Sequence, residues 1–229
     1  MATILITGAN RGIGLALAKI YLDRGDEVIG ACRRPREAKE LAALAGAAGR
    51  KAEIAWIDVT NPLSIVKARD ALARRRIDIL INNAGIMGPE RQSVTDMDFD
   101  GFLATLDANT LGPLRVTQAF LANLEGAHGK VANISSGMGS FSGGSAGDLA
   151  YRASKAALNK LTQGMAAELA PRGIAVIVIS PGWVRTDMGG GGAPLSPEKS
   201  AAGVVSVIDA LTLAGTGAFK NYDGNAIAW

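Results

Sequence analysis

The strongest constraint on the fold lies at the start of the chain. An apolar, β-branched run, Thr3-Ile4-Leu5-Ile6-Thr7, passes directly into Gly8-Ala9-Asn10-Arg11-Gly12-Ile13-Gly14, which opens a helical pattern. A strand that turns on glycines straight into a helix is a recurrent way to hold a phosphate group. Gly8 permits the tight turn, Gly12 lets backbone come close to the ligand, and Gly14 allows helix and strand to pack closely. The helix N-terminus adds unpaired N–H groups and partial positive charge. An ordinary strand–helix turn is the competing reading of three glycines. A P-loop is excluded, because no Gly-Lys-Ser/Thr follows.

The alternation continues along the chain. Runs at 27–32, 53–57, 77–81, 131–135 and 174–180 read as further strands, apolar enough for a sheet covered on both faces. Helical patterns occupy 12–24, 35–45, 62–75, 98–124, 150–169 and 197–213. Asn61-Pro62 and Ser196-Pro197 make good helix starts, a capping side chain followed by proline. Strands alternating with helices imply an α/β fold, a Rossmann-type doubly wound parallel sheet in three layers. No repeat or linker divides residues 1–229, so one dinucleotide-binding and catalytic domain is expected. Right-handed crossovers place its crevice at the carboxyl ends of the first strands.

Composition narrows the function. One cysteine, Cys32, excludes an internal disulfide framework, and with the single His128 it argues against Cys- or His-ligated metal; no metal is expected. A net charge of +3 gives little support to nucleic-acid binding. No apolar run is long enough to span a membrane, and the N-terminus lacks the basic region of a signal peptide, so a cytoplasmic protein is expected.

The spacing Gly8-x-x-x-Gly12-x-Gly14 resembles the short-chain dehydrogenase/reductase family. In family order come Asp58-Val59, Asn82-Asn83-Ala84-Gly85, Asn109, Ser135-Ser136, Tyr151-x-x-x-Lys155 and Pro181-Gly182. The ending, residues 222–229, looks like the C-factor and sniffer-type carbonyl reductase branch. The resemblance covers nearly the whole chain and implies a nicotinamide cofactor.

Which cofactor is a question of charge. An NAD enzyme carries an acidic residue at the tip of the second strand. Here that tip is Ala31-Cys32-Arg33-Arg34. Arg33, and Arg11 in the glycine turn, match positions where NADP-preferring relatives are basic and offer bidentate donors to a 2′-phosphate. NADP(H) is therefore expected, against the plainer reading of Arg33 as part of a solvated basic run. Asn10 and Ile13 complete the turn around the cofactor. By resemblance, Asp58 caps the adenine amino group beside an apolar wall at Val59. Asn83, Ala84 and Gly85 pass beneath the adenosine ribose.

Tyr151 and Lys155 lie four residues apart and share a helix face. A nearby ammonium favours phenolate, which makes Tyr151 the expected general acid in carbonyl reduction and base in alcohol oxidation. The resemblance gives Lys155 the nicotinamide ribose as well. Ser136 resembles the serine that holds the substrate carbonyl oxygen, with Ser135 as the alternative. The long glycine- and serine-rich stretch that follows leaves the pocket's shape open. The matching asparagine, Asn109, kinks its helix and supports a water leading from the lysine; periodicity alone would put it on a solvated face. Val184 backbone and the Thr186 hydroxyl hold the carboxamide.

Several residues have plainer readings. Trp183 serves as pocket wall or as packing, and Met87 and Met138 line the cleft or fill the core. Arg74-Arg75-Arg76 reads as a helix end and His128 as a turn residue. The glycines at 189–192 form either a hinge or a surface loop. The expected function is reversible, NADPH-dependent reduction of an aldehyde or ketone. The alternative is an NADP-binding signalling or regulatory protein with vestigial redox activity; sugar epimerase or dehydratase chemistry lacks room for a separate substrate domain. The helices 98–124 and 150–169 are apolar on more faces than one sheet covers, and in the family the matching pair builds a two-fold interface. A homodimer or homotetramer is expected.

Overall fold

The computed structural model describes residues 1–47 and 52–229. Strands β1 (Thr3–Thr7), β2 (Glu27–Cys32), β3 (Ala52–Trp56), β4 (Ile79–Asn82), β5 (Lys130–Ile134), β6 (Ala175–Ser180) and β7 (Phe219–Asn221) form one parallel sheet in the order β3-β2-β1-β4-β5-β6-β7. The chain winds outward from β1 in both directions, with Ile4 beside Val28 on one flank and Ile79 on the other. The order reverses at β1, which opens a crevice at the strands' carboxyl ends.

Side chains alternate across the sheet and divide the core in two. Ile4, Ile6, Val28, Ile81 and Ile177 share one buried cluster with Leu17 and Tyr21 of α1 (Gly12–Asp23), Leu41 of α2 (Lys39–Ala45) and Val204 and Ile208 of α8 (Pro197–Asp209). Leu5, Ile29, Leu80, Val131 and Val176 face the opposite way. They pack on Ile65 of α3 (Pro62–Ala71), Val116 of α5 (Gly112–Ala119), Leu124 of α6 (Leu121–Glu125) and Leu169 of α7 (Leu149–Leu169). Each fully buried large side chain stabilises the fold by roughly 1.5–3 kcal/mol. Among the described residues no helix is long and apolar enough to cross a membrane.

The structure departs from the sequence reading at several elements. The expected helix 98–124 is broken into α4 (Phe99–Leu106), a π-helical turn (Asp107–Leu111), α5 and α6. Pro113 has no N–H to return to the Asn109 carbonyl, and Gly112 N–H donates five residues back to Asp107. Phe120 ends α5 outside helical geometry. The expected helix 35–45 is a 3-10 turn, Pro35–Glu37, then α2, because buried Ala38 adopts a non-helical backbone between them. Helices α3 and α8 stop four residues short of their expected ends, at Ala71 and Asp209. The strand β7 was not anticipated: three residues are too few to show a period.

Candidate active site

A cleft of about 580 Å³ lies at the carboxyl ends of the central strands and is lined by Gly8, Arg33, Asp58, Gly85, Tyr151 and Thr186, among others. The glycine turn forms its floor. Gly8 and Gly12 have φ of +68° and +54°, which side chains adopt only with strain. A Cβ on Gly14 would fall 2.2 Å from the Gly8 carbonyl oxygen. Asn83 braces the turn, its Nδ2 donating to the carbonyls of Thr7 and Gly8. Its side chain therefore supports the cradle, while Ala84 and Gly85 line the cleft beside it. Asn10 and Ile13 line it too, and no side chain caps α1. The uncapped α1 N-terminus therefore has first-turn N–H donors at the cleft, where a ligand's phosphate could accept from them.

The two candidate phosphate-binding arginines are differently placed. Arg11 pairs with Asp187, from the loop after β6, and both line the cleft. Arg34 pairs with Glu37 at 3.3 Å. Among the described residues Arg33 is exposed at the cleft without an ion-pair partner. Cys32 also lines the cleft, and burial pushes its thiol up, away from reactive thiolate. Asp58 Oδ1 accepts from the Thr60 N–H and hydroxyl, which fixes the carboxylate. Val59 packs against Gly112, where a Cβ would come within 2.9 Å. Thr186 stands against Gly12, and its hydroxyl donates to the Val184 carbonyl at 3.4 Å; Val184 itself is buried outside the lining.

Tyr151 and Lys155 occupy the first two turns of α7 and both line the cleft. Lys155 is buried, its Nζ donating to the Ile134 carbonyl at 2.9 Å and lying 5.7 Å from the Tyr151 ring centroid. Burial lowers Lys155 to about 8. Tyr151 moves the other way from the expected phenolate. Burial raises it first, a hydrogen bond with Ser136 lowers it, and Asp148 raises it again. The hydroxyl is therefore held protonated. Ser135 lines the cleft, but its hydroxyl is engaged, donating to Asn159 Oδ1 at 2.6 Å. Ser136 heads the Gly137–Gly139 turn, outside the lining, and its hydroxyl accepts from Met138 N–H at 3.1 Å.

Asn109 is fully buried in the π turn. Its Oδ1 accepts from Ile86 N–H, and its Nδ2 donates to the Ile86 carbonyl and to Ser154 Oγ. The solvated-face reading is overturned; this amide joins the loop after β4 to α7. Trp183 is exposed, outside the lining, with its indole N–H donating to the Gly189 carbonyl. Thr60, Asp187 and Met188 also line the cleft, though none was singled out as a site residue. Their signal was adjacency to Asp58-Val59 and Thr186, and no motif singled them out.

The short chain dehydrogenase family model matches residues 2–192. The chain belongs to the short-chain dehydrogenase/reductase family. The C-signal of Myxococcus xanthus is 43% identical over 155 residues, which are 67% of this chain and 93% of that one. The NADPH-bound carbonyl reductase from chicken fatty liver superposes with a TM-score of 0.93 at 33% identity, covering 100% of this chain and 99% of the other. Carbonyl reductase Sniffer of D. melanogaster superposes with a TM-score of 0.92 at 35% identity, over the whole of both chains. These two neighbours lie in the carbonyl reductase branch to which the chain's ending has its likeness.

Proposed function

We propose that this protein is an NADP(H)-dependent oxidoreductase that reduces an aldehyde or ketone to an alcohol, reversibly, with Tyr151 as general acid and base. The observation that carries the reading is one cleft holding Tyr151 and Lys155, four residues apart on α7, together with the glycine turn. The likeness to a carbonyl reductase bound to NADPH supports the same cofactor here.

The residues present fit that cofactor. The glycine turn and the uncapped α1 N-terminus would hold its pyrophosphate, Arg33 its 2′-phosphate, and Asp58 and Val59 its adenine. Lys155 would bind the nicotinamide ribose, and Val184 with Thr186 the carboxamide. When bound, the nicotinamide supplies or accepts hydride at the carbonyl carbon. Ser136 orients the carbonyl oxygen, and Tyr151 gives that oxygen its proton in reduction and recovers it in oxidation. Asn109 holds the loop at Ile86 against α7 and so keeps the floor and the catalytic helix together. We further propose a homodimer, or a tetramer built from it, closed by the exposed apolar residues of α4 and α5.

The test is oxidation of NADPH and of NADH with a panel of aromatic and aliphatic carbonyls, by wild type and by Tyr151→Phe. Wild type is expected to prefer NADPH. Tyr151→Phe is expected to lose about 10²–10⁴-fold in kcat, the share of a positioned proton donor, while binding NADPH normally. Preference for NADH, or turnover surviving in Tyr151→Phe, overturns the reading.

A further inference from the structure

The catalytic helix does not cap itself. Asp148, its N-cap residue, sits in the left-handed region at φ +53° and makes no side-chain cap bond. Its first turn is satisfied from elsewhere. Leu149 N–H donates to the Gln92 carbonyl at 3.1 Å, and Tyr151 N–H donates to Gln92 Oε1 at 3.1 Å. One residue, 59 positions upstream, thus takes two of the three first-turn donors, including the one on the proposed acid itself. Gln92 is buried, and its Nε2 donates to the carbonyls of Met87 and Pro89 at 3.2 and 2.8 Å. The loop after β4 folds around this amide. Gly88 has φ +97°, and a Cβ there would lie 3.3 Å from Gln92 Oε1.

We propose that Gln92 is a positioning residue for proton transfer: its side-chain amide fixes the Tyr151 backbone, and through it the place of the phenol in the cleft, from the loop that follows the cleft floor. A surface cap would serve the helix equally well. A buried amide that ties Tyr151 to Met87 and Pro89 also sets where the tyrosine stands relative to that floor. This inference rests on the Tyr151 reading above.

Three variants separate the two. Gln92→Met keeps the bulk and removes all three side-chain hydrogen bonds. Gln92→Glu keeps an acceptor for Tyr151 N–H and removes the donors to Met87 and Pro89. Tyr151→Phe is the control. In Gln92→Met, kcat is expected to fall about ten- to a hundredfold, the scale of a small misplacement at a reacting group, with NADPH affinity kept. The pH midpoint of alcohol oxidation should move, because a displaced Tyr151 hydroxyl meets different burial and different neighbouring charges. Gln92→Glu should recover part of the lost kcat. Should Gln92→Met fail to fold, Gln92→Glu decides alone: with the donors to Met87 and Pro89 gone, kcat is expected to fall several-fold while NADPH binding is retained, and wild-type kcat overturns the proposal. An unmoved midpoint with wild-type kcat overturns the proposal. So does a loss in which kcat, NADPH affinity and Tm fall together and Glu does no better than Met, which marks a purely structural amide. If instead Tyr151→Phe still turns over, the reading of the site fails, whatever Gln92 does.

Discussion

Lys155 carries its charge into surroundings that disfavour it. Its ammonium is buried with one recorded hydrogen bond, to the Ile134 carbonyl, and burial lowers its pKa from 10.5 to about 8. Between those values the unfolded chain keeps a proton that the folded chain has released, so stability rises with pH across that window. Below about 8 the full cost of the buried charge is present. Lys155→Met is accordingly expected to stabilise the protein at pH 7 by about 1–3 kcal/mol, after allowing for the lost hydrogen bond, and to abolish turnover. Denaturant unfolding at pH 7 and pH 10 checks this. The gain should shrink at pH 10, and a variant less stable than wild type at pH 7 would show that the Ile134 contact outweighs the burial. A residue retained at such a cost is one that function requires.

At the scale of elements, the 3-10 turn Gly137–Gly139 lies against α7, and the contact is made by backbone. A Cβ on Gly139 would come 2.7 Å from the Lys155 carbonyl carbon and 2.9 Å from Ala156 N. Gly139→Ala must therefore lift the turn carrying Ser136 away from the helix carrying Tyr151. We expect about 1–3 kcal/mol lower stability, as for overpacked cores, and a steeper fall in kcat than in NADPH affinity, read by thermal unfolding and cofactor titration. Equal losses in both would place the strain at the cradle. The sequence made the parallel strands, the glycine turn and the pairing of Tyr151 with Lys155 legible, because each depends on neighbours a few residues apart. Periodicity read 98–124 as one helix, and only the family likeness implied a kink at Asn109, where the structure has its π turn. The sequence did not disclose Gln92, which belongs to no periodic pattern and acquires its place only when the loop after β4 meets α7. Family spacing favoured Ser136 over Ser135, but it could not show that Asn159, 24 residues on in α7, engages the Ser135 hydroxyl.

At the scale of the molecule, several large apolar side chains stay exposed, and four of them fall on neighbouring elements. Phe99 and Leu103, one turn apart on α4, are 72% and 65% exposed, and Leu111 in the π turn and Leu114 in α5 are exposed as well. An exposed apolar patch suits a contact surface, which is where the proposed dimer would close. Two chains meeting there by a two-fold axis would cover each other's patch, since such an interface uses the same residues on both sides. Light scattering at micromolar concentration is expected to give twice or four times the chain mass, and Leu103→Glu should lower it by placing a charge in an apolar contact. Leu111 shares its turn with Asn109, whose amide holds Ile86 and Ser154. Loss of the contact should therefore reach the site as a several-fold drop in kcat, while NADPH affinity, set across the cleft at the glycine turn, stays near wild type. A wild-type monomer would remove the interface; a dimer undisturbed by Leu103→Glu would move it to another face. Turnover unchanged in a monomeric variant would show that each chain holds its π turn unaided.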